Sequence, residues 1–169
     1  YDVTIHSEDT EYLLVDGYNI IFAWDELHRL AAQDVAAARG ALIDILANYQ
    51  GFRKCRVIVV FDAYKVKGNP GSVRTVHGVK VVYTKEAETA DTYIERATYE
   101  LRRERRVRVA TSDGPEQVII LGHGALRVSA RAFHAEVEAA EGQISAVLQR
   151  LTNRPRSERT IRNNVKLKQ

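Results

Sequence analysis

The chain has 169 residues, of which 45% are hydrophobic and 28% charged, enough apolar material for one compact domain with its own core. A disordered tail protein is excluded. The formal net charge of +3 is unevenly spread: residues 152–169 carry +5, from Arg154, Arg156, Arg159, Arg162, Lys166 and Lys168 against Glu158, and residues 1–151 carry −2. The single cysteine, Cys55, excludes an internal disulfide and a thiolate metal centre and suits a reducing cytoplasm. No apolar run approaches the roughly 20 residues that span a bilayer, and the first residues given lack the charged-then-apolar signature of a secretory signal. The expectation is a cytoplasmic protein. The sequence contains no Met, which fits a piece of a longer polypeptide.

Residues 1–11 read as a linker or edge segment. The first strand signal is Tyr12-Leu13-Leu14-Val15, an apolar run too short for a helix and stopped by Asp16-Gly17. Further β-rich runs follow: Arg56–Phe61 before Asp62, residues 80–83 before Thr84, residues 107–110 before Thr111-Ser112-Asp113, and residues 126–128 before Ser129. Between them lie helical periods. Asp34 caps a helix ending at Gly51, with Val35, Ala38, Leu42, Ile45, Leu46 and Tyr49 at three- and four-residue steps. Thr89 caps a second helix, carrying Tyr93, Ile94, Ala97 and Leu101 and running into an arginine cluster that suits a helix C-terminus. Pro115 opens a short helix up to Gly122, and a last long helix runs from about Ser129 to Leu151, with Gly142 as a possible bend. Strands alternating with helices predict a three-layer α/β/α sandwich over residues 12–151, with a mainly parallel sheet of about five strands. Residues 152–169 form a basic C-terminal arm.

In such a sheet, ligands bind beyond the carboxyl ends of the strands. Asp16, Asp62 and Asp113 end three of the predicted strands, and Asp91 falls in the first turn of a helix. Carboxylates gathered on one rim resist joint ionisation unless a cation neutralises them, and hard oxygen ligands favour Mg²⁺ or Mn²⁺. Each acid also has a plainer reading as a helix cap or turn residue; their conjunction favours a metal site. In Asp16-Gly17-Tyr18-Asn19 the glycine allows a sharp turn that brings acid and amide to one site, where Asn19 suits a water or a phosphate oxygen. Ser112, at a helix start, offers a hydroxyl and backbone N–H to phosphate. Lys65, Lys67 and Arg74, in a loop over 65–78, together with Lys85 and the tail residues Arg154, Arg156 and Arg159, are the cations expected to hold a polyanion.

Other chemistries fail on their own motifs. A haloacid-dehalogenase-type phosphatase needs an acid where Tyr18 stands. Gly17–Phe22 supplies no Gly-x-Gly-x-x-Gly, and no Gly-x-Ser-x-Gly occurs. His77, His123 and His134 show no zinc spacing. Metal-assisted phosphodiester hydrolysis remains.

The four motifs Leu14-Val15-Asp16-Gly17-Tyr18-Asn19, Val60-Phe61-Asp62-Ala63, Ala87-Glu88-Thr89-Ala90-Asp91 and Ala110-Thr111-Ser112-Asp113 together resemble the NYN-domain proteins of the PIN-like nuclease superfamily. Within them the resemblance is to the YacP-like bacterial branch, which includes a ribosome-dependent messenger-RNA endonuclease. It spans about residues 12–140. It implies a PIN-like fold, dependence on Mg²⁺ or Mn²⁺, endoribonuclease activity on messenger RNA and an association with the ribosome. By matching motif, Asp16, Asn19, Asp91 and Asp113 become the catalytic and metal positions, with Asp62 a further metal position. Many members place another acid where this chain has Gln117, which implies that one ion is held more firmly than two. Similar segments occur fused to elongation-factor-G-like translational GTPases, in keeping with the absent Met. The alternative is a non-catalytic RNA- or ribosome-binding module with a vestigial acidic pocket.

Overall fold

The computed structural model describes residues 10–64, 67–102, 106–112 and 125–152. Six strands form one sheet: β1 (Glu11–Asp16), β2 (Arg56–Phe61), β3 (Ser72–Val76), β4 (Val79–Tyr83), β5 (Arg106–Thr111) and β6 (Leu126–Ser129), in the order β3-β4-β2-β1-β5-β6. All neighbours pair in parallel except β3 with β4. Five helices are described: α1 (Gly17–Ala23), α2 (Asp25–Gln33), α3 (Val35–Arg53), α4 (Ala90–Leu101) and α5 (Ala130–Thr152).

The parallel strands are apolar on both faces because both are covered. Leu13 and Val15 of β1, with Val57, Val59 and Phe61 of β2, turn toward Leu27, Leu42, Leu46 and Phe133 on α2, α3 and α5. Leu14, Ile58, Val60, Val107 and Val109 turn the other way, toward Ala90 and Ile94 of α4. Central β1 therefore places its last residue, Asp16, between the two layers, at the middle of the carboxyl rim.

Several helix ends follow the sequence signals. Asp34 accepts a hydrogen bond from the Ala37 N–H at 3.1 Å, and Thr89 one from the Thr92 N–H at 3.2 Å. Ser129 Oγ accepts from the Ala132 N–H at 3.1 Å, and α5 continues without interruption through Gly142. The stop at Gly51 is corrected: α3 continues to Arg53, and Lys54 closes it in the left-handed region at φ 56°.

The sheet has six strands where five were expected, and the loop over 65–78 contains β3. The hairpin turn to β4 is His77-Gly78, with φ of 50° and 86°, the two positive values that a tight two-residue turn between antiparallel strands requires. Arg74 is corrected accordingly. It lies mid-strand opposite Val81, at the exposed sheet edge, and not in a loop beside Asp62.

Helices α1 and α2 were not anticipated either. Trp24 breaks them apart in an extended conformation, and its indole N–H donates to the Ala130 carbonyl at 2.9 Å, tying their junction to the start of α5.

At the amino end of the sheet, Arg108 of β5 forks onto Glu136 of α5, with Nη2–Oε1 and Nη2–Oε2 distances of 2.7 and 2.9 Å, and the Tyr49 hydroxyl donates to the same carboxylate at 2.8 Å. This cluster ties β5, α5 and α3 together. Among the described residues, no helix is long and apolar enough to cross a membrane.

Candidate active site

Asp16 ends β1 and is 4% exposed. Although it stands at the N-cap of α1, its side chain makes no cap bond. It instead accepts from Asn19 Nδ2 at 2.6 Å, and the same amide reaches Thr111 Oγ1 at 3.4 Å. Asn19 thus joins the ends of the adjacent strands β1 and β5 above the buried carboxylate. Gly17 is needed here for space. A β-carbon on it would sit 2.3 Å from Cε1 of the buried Phe61 ring, so only glycine lets α1 start this close to the end of β2.

Asp62 follows β2 and is half-buried; its Oδ1 accepts the Ala90 N–H, the first backbone donor of α4. One carboxylate oxygen therefore fixes the start of the helix whose first turn carries Asp91. Asp91 is exposed, and its charge acts on both other acids. Burial pushes the Asp16 carboxyl up to about 7; the Asn19 amide pulls against this, and the charges of Asp91 and Asp62 add to it. Asp62 is also raised, first by burial and then by Asp91, against the Ala90 hydrogen bond.

Asp16, Asn19, Asp62 and Asp91 are thus brought to one rim. Asp113 lies outside the described residues, as do Lys65, Arg154, Arg156, Arg159, Gln117 and the helix expected at 115–122. Among the described residues no group of three His, Cys, Asp or Glu side chains already stands at metal-holding spacing. The donor set nevertheless fits a hard cation. It consists of carboxylates and an amide oxygen, with a buried carboxylate whose charge is penalised by burial and by negative neighbours. Of the expected cations, Lys67 and Lys85 are exposed in segments after β2 and β4, while Arg74 is at the sheet edge. Ser112 lines a cleft of about 780 Å³ with Arg127, Arg131 and His134, beyond the ends of β5 and β6.

Two parts of the rim have contacts that the sequence did not show. Thr111, fully buried, holds Asn19 from the far side; its place at a strand end was the available signal. The second is an aromatic row. Tyr83 stacks on Phe61 at 5.5 Å, Phe61 meets Tyr18 at 5.1 Å, Tyr18 stacks with Phe22 at 6.3 Å, and Phe22 meets the edge of His28 at 5.7 Å. Arg39 donates to the Tyr18 hydroxyl at 3.0 Å. The i, i+4 spacing of Tyr18 and Phe22 was legible once α1 was known to be a helix.

Residues 13–169 match the family model of the YacP-like NYN domain. A Bacillus subtilis (strain 168) relative, which bears the name "Uncharacterized protein YacP", is 46% identical over 144 residues, covering 85% of this chain and 84% of its own. The crystal structure of Rae1 (YacP) from Bacillus subtilis superposes with a TM-score of 0.75 at 43% identity, over 93% of this chain and 90% of that one. A mutant form of the same protein gives 0.76 at 43% identity, over 87% of each chain. The chain belongs to the family of YacP-like NYN domains, and its α/β/α architecture is the PIN-like fold expected of that nuclease-type family.

Proposed function

We propose that this protein is a metal-dependent endoribonuclease that hydrolyses phosphodiester bonds of messenger RNA, acting in the cytoplasm in association with the ribosome. The observation that carries the reading is Asp16: a carboxylate buried at the centre of the carboxyl rim, bonded to Asn19 at 2.6 Å and pushed up to about 7 by burial, with Asp62 and Asp91 acting on it. A buried ionised acid among acids is unfavourable without a counter-charge, so the arrangement costs stability that a bound cation returns.

Asp16, Asp62, Asp91 and Asp113 are the residues that would hold Mg²⁺ or Mn²⁺. When bound, such an ion polarises the phosphodiester and lowers the pKa of a water. The chain's own groups do the positioning. Thr111 fixes the Asn19 amide, Asn19 orients the Asp16 carboxylate through its N–H groups and presents its oxygen to water, and Asp62 fixes the helix that carries Asp91. Asp16 must be ionised to act as a ligand or accept a proton. Lys67, Lys85, Ser112 and the basic tail supply phosphate contacts around an otherwise repulsive pocket.

Titration calorimetry with Mn²⁺ tests the reading. Binding in the wild type that is lost in Asp16→Asn is the expected result. No heat at millimolar Mn²⁺ favours the non-catalytic RNA- or ribosome-binding module.

A further inference from the structure

We propose that the exposed ring of Phe22 is a stacking platform for an unpaired base of the RNA strand, next to the acidic site. This rests on the endoribonuclease reading and extends it to the form of the substrate: a single strand whose base is turned out beside the scissile phosphate.

Phe22 is 51% exposed, on a helix whose other large apolar side chains, Ile20 and Ile21, are fully buried. Trp24 and Leu27, which follow, are buried too. The exposed apolar surface at this point is therefore small, the Phe22 ring with Ala23 and the half-buried Tyr18 beside it, and not the broad apolar core that a protein partner requires. The ring is held rather than loose. Tyr18 stacks on it at 6.3 Å with the planes 27° apart, and the His28 ring lies 5.7 Å away, perpendicular to it. Tyr18 is itself fixed by Phe61 at 5.1 Å and by the Arg39 guanidinium at 3.0 Å from its hydroxyl.

The position argues for RNA as the occupant. Asn19 and Phe22 are three residues apart on α1, hence neighbours on its surface. The helix that directs an amide at Asp16 therefore offers a π face one step away. A base on that face lies about one helical turn from the amide that bonds Asp16. Aromatic rings beside a cationic guanidinium form a common mode of single-strand binding, and every base has a face to stack.

The test uses the 169-residue chain carrying Asp16→Asn, which keeps the RNA intact. A single-stranded oligoadenylate containing 2-aminopurine, and a fully paired RNA duplex, are titrated against it and against versions that also carry Phe22→Leu or Phe22→Trp. Loss of the ring in Phe22→Leu is expected to weaken single-strand binding by about 5- to 150-fold and to abolish 2-aminopurine quenching, while Phe22→Trp keeps both. Duplex binding is expected to be unchanged in both. Equal single-strand affinity for Phe22→Leu and the parent, an equal loss for the duplex, or no binding of the single strand overturns the proposal. Unchanged thermal melting of Phe22→Leu excludes misfolding as the cause. Cleavage of the same oligonucleotide by the wild type with Mn²⁺, with and without ribosomes, reads the endoribonuclease assignment separately. Cleavage without a Phe22 effect discards the platform alone; absence of cleavage discards the assignment.

Discussion

Replacing Asp16 by asparagine is expected to stabilise the metal-free protein while disabling its site. The unfolded chain ionises Asp16 near 3.8, whereas the folded protein holds its proton up to about 7. Between those values the folded state binds one proton more, so stability falls as pH rises, and above 7 the full cost is in place. At 1.36 kcal/mol per pH unit the interval gives a ceiling of about 4 kcal/mol, which relaxation and water entry reduce to about 1–3 kcal/mol. Asparagine is neutral throughout and keeps an oxygen to accept the Asn19 N–H. The stability gap between Asp16→Asn and wild type should therefore widen by about 1–2 kcal/mol from pH 5 to pH 8, measured by urea denaturation in EDTA. At pH 8 the mutant should melt about 3–10 °C higher. A gap that is constant with pH, or a mutant that loses ground to wild type as pH rises, refutes the argument that burial strains this carboxylate.

Three further outcomes follow from the packing and charge. Gly17→Ala places a methyl 2.3 Å from the Phe61 ring and should cost about 1–3 kcal/mol in urea denaturation, partly recovered by Phe61→Leu in the same chain. Glu136→Gln removes the forked partner of Arg108, 13% exposed, and leaves it the Glu11 carboxylate at 4.0 Å; a loss of about 1–3 kcal/mol with unchanged Mn²⁺ binding is expected by denaturation and calorimetry. Removing residues 153–169 takes away six cations and should flatten the salt dependence of RNA binding, reducing the log–log slope by up to about 4; an unchanged slope discards the tail's role.

The sequence made the central strands and the capped helices legible because burial on two faces leaves little choice. Val57–Phe61 is apolar at every position, and Asp34 and Thr89 occur just where backbone donors need an acceptor. What escaped had weaker signals. Strand β3 is exposed along nearly its whole length, so Ser72–Val76 shows no buried face, and its hairpin turn is His-Gly rather than the commoner Asn-Gly. Ile20 on α1, Trp24 at the junction, and Leu27 and Ala31 on α2 are buried, but neither helix has a side-chain cap and Trp24 interrupts the period. Within the site, Asp16, Asn19 and Asp91 were readable from motif and strand end. The reason for Gly17 was not. The chain needs it to clear Phe61, whereas spacing alone pointed to a turn. Asp62 showed both of its readings at once, a helix cap through one oxygen and a member of the acidic rim.

The central claim, that the rim carboxylates cut RNA with a bound cation, is tested most directly by incubating messenger RNA with the purified protein and Mn²⁺, with and without ribosomes. Wild type should cleave internally, chelator should stop it, and Asp16→Asn and Asp91→Asn should each lower the rate by at least about 100-fold, the scale of removing one preorganised catalytic group. Equal cutting by wild type and both mutants, or cutting that persists in chelator, would contradict the account.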